Sequence, residues 1–266
     1  MIFRRALVLA AAVLTLTGCG SGEATSVLSR TASSLDKIKS GTLAFDLLVT
    51  PRGGQGGPPF GFKLAGPFAT TGSTLPRTRV RYTQIANGKS ETVTLVSTGK
   101  KGFITVDGKT YELPASRLAP LRSATAVFGG KGSSLPLDDW IRDAEVSDGG
   151  DVGGADTEHV HGNLDISRAV ADLGSLASSA PALNERERKQ LEDSTRKAAI
   201  DVWSGKEDHL LRKLVIDVDL GLEVPADLRA ALGNLVGARL QVTLAVSNPN
   251  RPVTVTAPAS APPYPG

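Results

Sequence analysis

Cysteine and histidine are scarce in this sequence, which has one cysteine and three histidines among its 266 residues. A single thiol cannot form an internal disulfide, so no disulfide framework holds the fold. His159 and His161 lie on one face of a predicted strand, but a zinc site needs three or four ligands and His209 is distant in the chain. Polar alternation on a wet strand face explains the pair as well. We therefore predict no metal and no cofactor.

Aromatic residues are also few, at 5% of the sequence, and the formal net charge is only +3. No cluster of Lys and Arg interleaved with aromatic residues occurs, so we predict no nucleic-acid surface. The sequence contains no G-x-S-x-G elbow, and its glycine-rich run at 53–57 lacks the Lys-Ser/Thr of a phosphate loop. We predict that the chain is not an enzyme. A hydrolase remains an alternative if folding brings Ser, His and Asp within hydrogen-bond reach.

No apolar run reaches the roughly 20 residues that a membrane-spanning helix needs. Arg4 and Arg5 precede a shorter run that ends at Thr17, which predicts a signal peptide over residues 1–18. The four residues that close the run, Leu16-Thr17-Gly18-Cys19, resemble the lipobox of bacterial lipoproteins. That resemblance implies cleavage between Gly18 and Cys19, a diacylglyceryl thioether on Cys19 and acylation of the new amino terminus, for example by palmitate. The alternative is a plain signal peptide with an incidental cysteine.

The remaining chain suits one main domain. We predict a tether at 19–25, a single domain at 26–257 and a disordered proline-rich tail at 258–266. The domain opens with a helical period from Ser26 to Ile38. About ten mostly antiparallel strands follow, with tight turns at Asn87-Gly88 and Asp107-Gly108 and a last edge strand at 252–256.

Helices and loops interrupt these strands in the middle of the chain. Residues 137–144 are predicted to be a short helix, and the glycine- and aspartate-rich stretch 147–154 a loop. Asp165 is a predicted helix N-cap. Asn184 begins a capping box for a charged helix at 185–197, with an ion pair between Glu192 and Arg196. Trp140 and Trp203 are interpreted as core anchors, with ligand contact as the alternative.

Alternating strands have one wet face, and amphipathic helices must cover the other. The predicted fold class is α+β: a large curled antiparallel sheet, or half-barrel, with helices covering its concave face and an apolar cavity between the two layers. Candidate cavity residues come from the apolar face of each strand, with ordinary core packing as the alternative: Phe45, Leu47, Leu64, Val80, Tyr82, Val93, Leu95, Leu214, Ile216, Leu240, Val242 and Leu244.

Several stretches, taken in their order, resemble the LppX/LprA/LprF/LprG family of actinobacterial lipoproteins, which is related in fold to LolA and LolB. They are the lipobox, the helix ending Ile38-Lys39-Ser40, Leu137-Asp138-Asp139-Trp140-Ile141, His159-Val160-His161-Gly162-Asn163-Leu164-Asp165, Val202-Trp203, Leu211-Arg212-Lys213-Leu214 and Asn248-Pro249-Asn250-Arg251-Pro252-Val253. The resemblance covers nearly all of the chain after the signal peptide. It implies a half-barrel that encloses acyl chains and carries lipids or lipoglycans between membrane and cell surface. The glycine- and proline-rich loop at 51–59 departs from the family pattern.

Two functions follow from this interpretation. The first is an exported lipoprotein, lipid-anchored to the outer face of the cell membrane, that binds a lipid or lipoglycan and works with an unidentified envelope transport partner. The second is a structural or interaction lipoprotein of the envelope with the same fold and a filled core.

Replacing the cysteine tests the predicted anchor. We expect Cys19→Ala to release the protein from membranes and to leave the fold intact, because Cys19 precedes the domain and only its acyl groups hold the chain at the bilayer. Cell fractionation with immunoblotting measures this. A mutant that is processed and still membrane-bound contradicts the prediction.

Overall fold

The computed structural model describes residues 21–53, 57–70, 75–118, 135–176, 184–221 and 235–265. Cys19 and Gly18 lie outside these residues. The strands are β1 Ser40–Gly53, β2 Phe60–Ala69, β3 Arg77–Ala86, β4 Lys89–Thr98, β5 Gly102–Val106, β6 Lys109–Leu113, β7 Ile141–Asp151, β8 Asp156–Leu164, β9 Thr195–Gly205, β10 Leu211–Gly221 and β11 Leu235–Ser247. The α-helices are α1 Ser21–Ser34, α2 Leu137–Trp140, α3 Ile166–Leu176 and α4 Glu185–Ser194.

All these strands belong to one open sheet of 11 strands in the order β6-β5-β4-β3-β2-β1-β11-β10-β9-β8-β7. Every neighbouring pair is antiparallel. A twisted sheet of this size curls, and the predicted fold class of a curled antiparallel sheet with helices is confirmed. No helix in the described ranges is both long and apolar enough to cross a bilayer.

Both predicted tight turns form. Asn87 and Gly88 have φ angles of 53° and 71°, and Asp107 and Gly108 have 49° and 75°. Positive φ at both central residues is what a type I′ turn requires, and Asn, Asp and Gly tolerate it best. These turns fix the register of β3 with β4 and of β5 with β6.

Helix α1 packs on β7, β8, β9 and β10. Its side chains at Ala24, Val27, Leu28 and Thr31 are buried, and they recur every three or four residues because these positions share one helix face. Trp140 of α2 is also buried, as predicted, and its Nε1 donates a hydrogen bond to Asp172 Oδ2 at 2.8 Å. We call the sheet face beneath α1 the inner face and the opposite one the outer face.

The start of α1 corrects the predicted tether. The helix begins at Ser21 rather than Ser26, so residues 21–25 of the predicted tether are helical, and Ala24 is fully buried. Ala24 lies three and four residues before Val27 and Leu28 and extends their apolar stripe. Small residues such as Gly22 and Ala24 hide that stripe in the sequence.

Strand β7 replaces two other predicted elements. The helix predicted at 137–144 ends at Trp140, and most of the loop predicted at 147–154 belongs to β7. This strand forms one edge of the sheet and is rich in aspartate and glutamate. Charged residues are common on edge strands because they oppose pairing with another chain. Charged residues are also typical of loops, so the sequence of β7 was interpreted as a loop.

The proline-rich tail is not disordered where the structure describes it. Glu112 N donates to Pro262 O at 2.8 Å, and Tyr264 N donates to Glu112 O at 2.9 Å. The Tyr264 ring lies edge-on to Tyr111, with ring centroids 5.9 Å apart. The tail therefore covers part of the edge strand β6. The strand predicted at 252–256 does not form.

The helix caps agree with the sequence, but α4 is shorter than predicted. Asp165 Oδ1 accepts from Arg168 N at 3.1 Å, and Asn184 and Glu187 form the expected capping box. Helix α4 ends at Ser194, so Arg196 lies in the next strand, and the predicted pair with Glu192 is not seen among the described residues.

Removing one apolar side chain of α1 tests how much this packing stabilises the domain. Leu28 is 1% exposed, and we expect Leu28→Ala to lower the free energy of unfolding by about 2–5 kcal/mol, because it removes buried methyl groups and leaves a cavity. Urea denaturation measures the change. The matched control is Ser29→Ala on the exposed side of the same helix, which we expect to change it by less than about 0.5 kcal/mol. Equal effects of the two changes contradict this account.

Candidate functional site

The strand registers place all twelve candidate cavity residues on the inner face. Phe45 lies opposite both Leu244 and Leu64, and Leu64 lies opposite Tyr82. Directly opposite residues of antiparallel strands point to the same side of a sheet, and alternate residues of one strand do so too. The same relation links the other candidates on β3, β4, β10 and β11.

The twelve residues divide into two groups of six. One group belongs to the core under the helices or packs against it: Phe45, Leu214, Ile216, Leu240, Val242 and Leu244. The other group lies beyond that core on β1 to β4: Leu47, Leu64, Val80, Tyr82, Val93 and Leu95. All of the second group except Val80 are only half-buried by the described residues. The helices listed above contact mainly β7 to β10. An apolar face is therefore present, whereas an enclosed cavity remains a prediction.

Three aromatic rings form a row across the inner face of β1, β2 and β3. The ring centroids of Phe45 and Phe62 are 5.5 Å apart, and those of Phe62 and Tyr82 are 5.8 Å apart, with tilted planes in both pairs. These spacings lie in the attractive range for aromatic pairs. Phe62 was absent from the candidate residues, although it alternates with Leu64 and the same period would have found it.

Exposed apolar side chains mark the end of the inner face where β1 finishes. Phe60, opposite Val49, is 48% exposed on this face, and Val236, at the register shift between β1 and β11, is 49% exposed. Both belong to the two strands that flank β1. The apolar surface therefore reaches the rim of the sheet.

A polar cluster lies on the outer face of β8 and β9. Asp201 Oδ1 contacts His159 Nε2 at 2.8 Å and His161 Nδ1 at 2.9 Å. Trp203 is stacked on His159 at 4.3 Å and has Lys213 Nζ 4.6 Å from its ring centroid. Trp203 was predicted as a core anchor, but it lies on this outer face, half-buried between two side chains.

This cluster brings Ser, His and Asp within reach of one another, because Ser147 Oγ lies 3.4 Å from His159 Nδ1. That distance is long for a hydroxyl hydrogen bond. Ser147, His159 and Trp203 are directly opposite one another in adjacent strands, so their backbone amides lie within a sheet rather than around a cleft. No group of three or more His, Cys, Asp or Glu in the described ranges is arranged to hold a metal ion.

Two ion pairs lie on the outer face of the central strands. Arg239 of β11 donates two hydrogen bonds of 2.7 Å to the two carboxylate oxygens of Asp217 on β10. These hydrogen bonds hold the pKa of Asp217 below its usual value. Arg52 of β1 pairs with Asp219 of β10. The outer face of these central strands is thus polar, whereas their inner face is apolar.

Comparison with known proteins gives the fold. No family model and no curated protein matches the sequence. LprF from Mycobacterium bovis superposes with a TM-score of 0.53 at 12% identity, over 91% of this chain and 99% of LprF. The Mycobacterium tuberculosis lipoprotein LppX gives 0.43 at 12%, over 88% and 98%. A LolA superfamily protein from Nitrosomonas europaea gives 0.22 at 8%, over 87% and 94%. The chain has the fold of LprF, as its sequence resemblance implied.

The pair of Asp217 with Arg239 predicts a pH dependence of stability. A carboxylate whose pKa is lowered in the folded state stabilises it above the unfolded pKa of about 3.9, and this contribution is lost as the pH falls through the folded pKa. We expect Asp217→Asn to be less stable than wild type at pH 7 and the difference to shrink below about pH 4. Urea denaturation across pH 2.5–7 measures it.

The control is Asp46→Asn on the same face, whose partner Lys63 makes one exposed contact of 3.2 Å. Exposed pairs contribute little, so its effect should be smaller at every pH. A pH-independent difference for Asp217→Asn contradicts the prediction.

Proposed function

We propose that the chain is an exported lipoprotein, anchored through Cys19 to the outer face of the cell membrane, that binds and carries lipids or lipoglycans. The observation that carries this proposal is the apolar inner face that continues beyond the helix-covered core. It requires neither a catalytic group nor a cofactor.

The chemistry of the inner face suits acyl chains. Beyond the core, the inner face of β1 to β4 has mostly half-buried leucine, valine and aromatic side chains, with polar Gln84 and Glu91 toward the turn between β3 and β4. Each methylene that leaves water for such a surface contributes about 0.8 kcal/mol to binding. A fatty chain therefore gains several kcal/mol from a dry groove alone, before any polar contact is made.

The fold supports the same function. LprF shares it over almost the whole chain. The sequence resemblance to the LppX/LprA/LprF/LprG family implies lipid carriage and a membrane anchor. When helices cover only part of the concave face of a curled sheet, the rest of that apolar face is free to bind acyl chains. A lipid carrier needs such a surface.

An interaction lipoprotein with a filled core is the second candidate. The tight packing of α1 on β7 to β10 favours it, because Leu28, Val160, Ile200 and Val202 leave the helix-covered half of the inner face solid. In this alternative the sheet serves as a docking surface in envelope assembly or signalling.

Native mass spectrometry with solvent extraction distinguishes the two candidates. The chain that starts just after Cys19 carries neither the signal peptide nor an anchor lipid, so any lipid recovered from it is a ligand. A bound diacyl or triacyl species supports the carrier. A protein that is empty from several hosts and takes up no fluorescent fatty acid supports the interaction lipoprotein.

Adjacent leucines on β1 test which face binds lipid. Leu47 and Leu48 are both half-buried, but they point to the inner and outer faces respectively. We expect Leu47→Asn to weaken binding of a fluorescent fatty acid about tenfold, because burying a leucine side chain contributes roughly 1.5–3 kcal/mol. Leu48→Asn should leave the affinity unchanged. Titration of the two variants beside the parent chain measures this, and equal affinities for both variants would falsify the assignment of the binding face.

A further inference from the structure

A pocket of about 700 Å³ lies between α4 and the ends of β9 and β10. The α4 residues in its wall are spaced three and four apart, so they share one side of the helix. We call it the basic pocket, and its main lining residues are Arg186, Lys189, Gln190, Asp193, Arg196 and Gly221.

The basic pocket has an excess of positive charge. Lys189 Nζ pairs with Asp193 Oδ2 at 3.2 Å, which leaves the guanidinium groups of Arg186 and Arg196. Neither makes an ion pair within the described ranges. By contrast, Arg30, Arg52, Arg142, Arg168, Arg212 and Arg239 each lie beside a carboxylate.

Helix stability does not explain Arg186. Cations stabilise the last turn of a helix, but the last turn of α4 contains no basic residue. Arg186 lies in the first turn, where the helix dipole disfavours a positive charge. The capping box and the acidic first-turn residues Glu185 and Glu187 already satisfy that end of the helix.

Gly221 leaves room for the guanidinium group of Arg196 in the wall of the basic pocket. A Cβ atom at Gly221 would lie 2.7 Å from Arg196 Nε and 3.1 Å from its Nη2. The guanidinium therefore lies directly against the backbone at the end of β10. Any side chain at position 221 would displace it from the wall of the basic pocket.

The basic pocket lies at the rim of the sheet, next to Leu220, the last inner-face residue of β10. Leu191 of α4 is outside the pocket lining and packs against the core, as do Ala198, Leu220 and Leu240 at the same end of the sheet. Helix α4 thus has cationic groups on one side and an apolar contact with the inner-face core on another. A lipid with a charged headgroup has the same two parts joined directly.

Resting on the proposed function, we propose that the basic pocket binds the phosphate of a lipid headgroup whose acyl chains lie on the inner face. Guanidinium groups match phosphate oxygens in charge and in planar, two-point geometry. Free phosphate esters share this chemistry, so the experiment has to separate the lipid from its soluble headgroup.

A competition between two lipids tests the proposal. The full chain with Cys19→Ala is incubated with equimolar phosphatidylglycerol and diacylglycerol of identical chains, and the bound lipids are extracted and counted by mass spectrometry. We expect the bound ratio to favour phosphatidylglycerol by about tenfold or more, which corresponds to about 1.4 kcal/mol. Arg186→Gln with Arg196→Gln should bring the ratio close to one and leave diacylglycerol binding intact.

The matched control is Arg79→Gln with Arg81→Gln, which makes the same change in net charge. Both arginines are exposed on the outer face of β3, four strands from β10 in the sheet. We expect this variant to keep the preference of the parent chain. Loss of the preference in both double variants would show a nonspecific effect of net charge and overturn the proposal.

The remaining outcomes separate the pocket from the proposed function. Binding of both lipids without preference overturns the headgroup site and leaves lipid binding intact. If neither lipid binds, the proposed lipid-carrying function is wrong. The proposal that the phosphate in the basic pocket belongs to a lipid is then wrong too. Titration with sn-glycerol 3-phosphate then shows whether the basic pocket binds a free phosphate ester. A positive result requires that the parent chain binds this probe and that the Arg186→Gln, Arg196→Gln variant does not. No binding of this probe overturns the pocket as an anion site.

Discussion

The backbone pairing of β1 with β11 is the constraint on which the rest of the structure depends. It joins the first and last strands that the structure describes at the middle of the sheet, in a register that continues from Thr42 with Ser247 to Arg52 with Gly237. Because side chains alternate along a strand, a slip of one residue would send every apolar side chain of β1 to the outer face. This pairing therefore unites the two halves of the apolar inner face, β1 to β6 and β7 to β11.

The two halves of the inner face have different roles. Helix α1 and the short helix around Trp140 bury the half on β7 to β10, and that packing stabilises the domain. The half on β1 to β4 continues the same alternation with an aromatic row and half-buried aliphatic residues. In our account the first half is a scaffold and the second is a binding surface. Polar pairs such as Arg239 with Asp217 lie on the outer face of the central strands.

Much of this was predictable because it depends on local rules. Alternation with period two assigned all twelve candidate residues to one face without knowledge of which strands pair. Turn chemistry at Asn87-Gly88 and capping chemistry at Asn184 were equally local. Strand β7 was missed because edge strands carry the charges that otherwise mark loops. Trp203 was misplaced because a large aromatic residue is usually buried, whereas here His159 and Lys213 cover it on the outer face.

Contacts between residues that are far apart in the chain could not be predicted from the sequence. No local signal pairs β1 with β11, and none brings Gly221 beside Arg196, since both contacts depend on the complete sheet order. The basic pocket is therefore visible only in three dimensions. The tail was misjudged for a similar reason, because the partner that orders Tyr264 is the edge strand β6.

The central claim is that acyl chains lie on the inner face over β1 to β4. Methyl NMR with a spin-labelled fatty acid tests it most directly, since a nearby nitroxide broadens the methyl signals of the residues it approaches. We expect broadening at Leu47, Leu64 and Leu95 and sharp signals at Leu48 and Val215 on the outer face. Uniform signals, or broadening confined to the outer face, would contradict it.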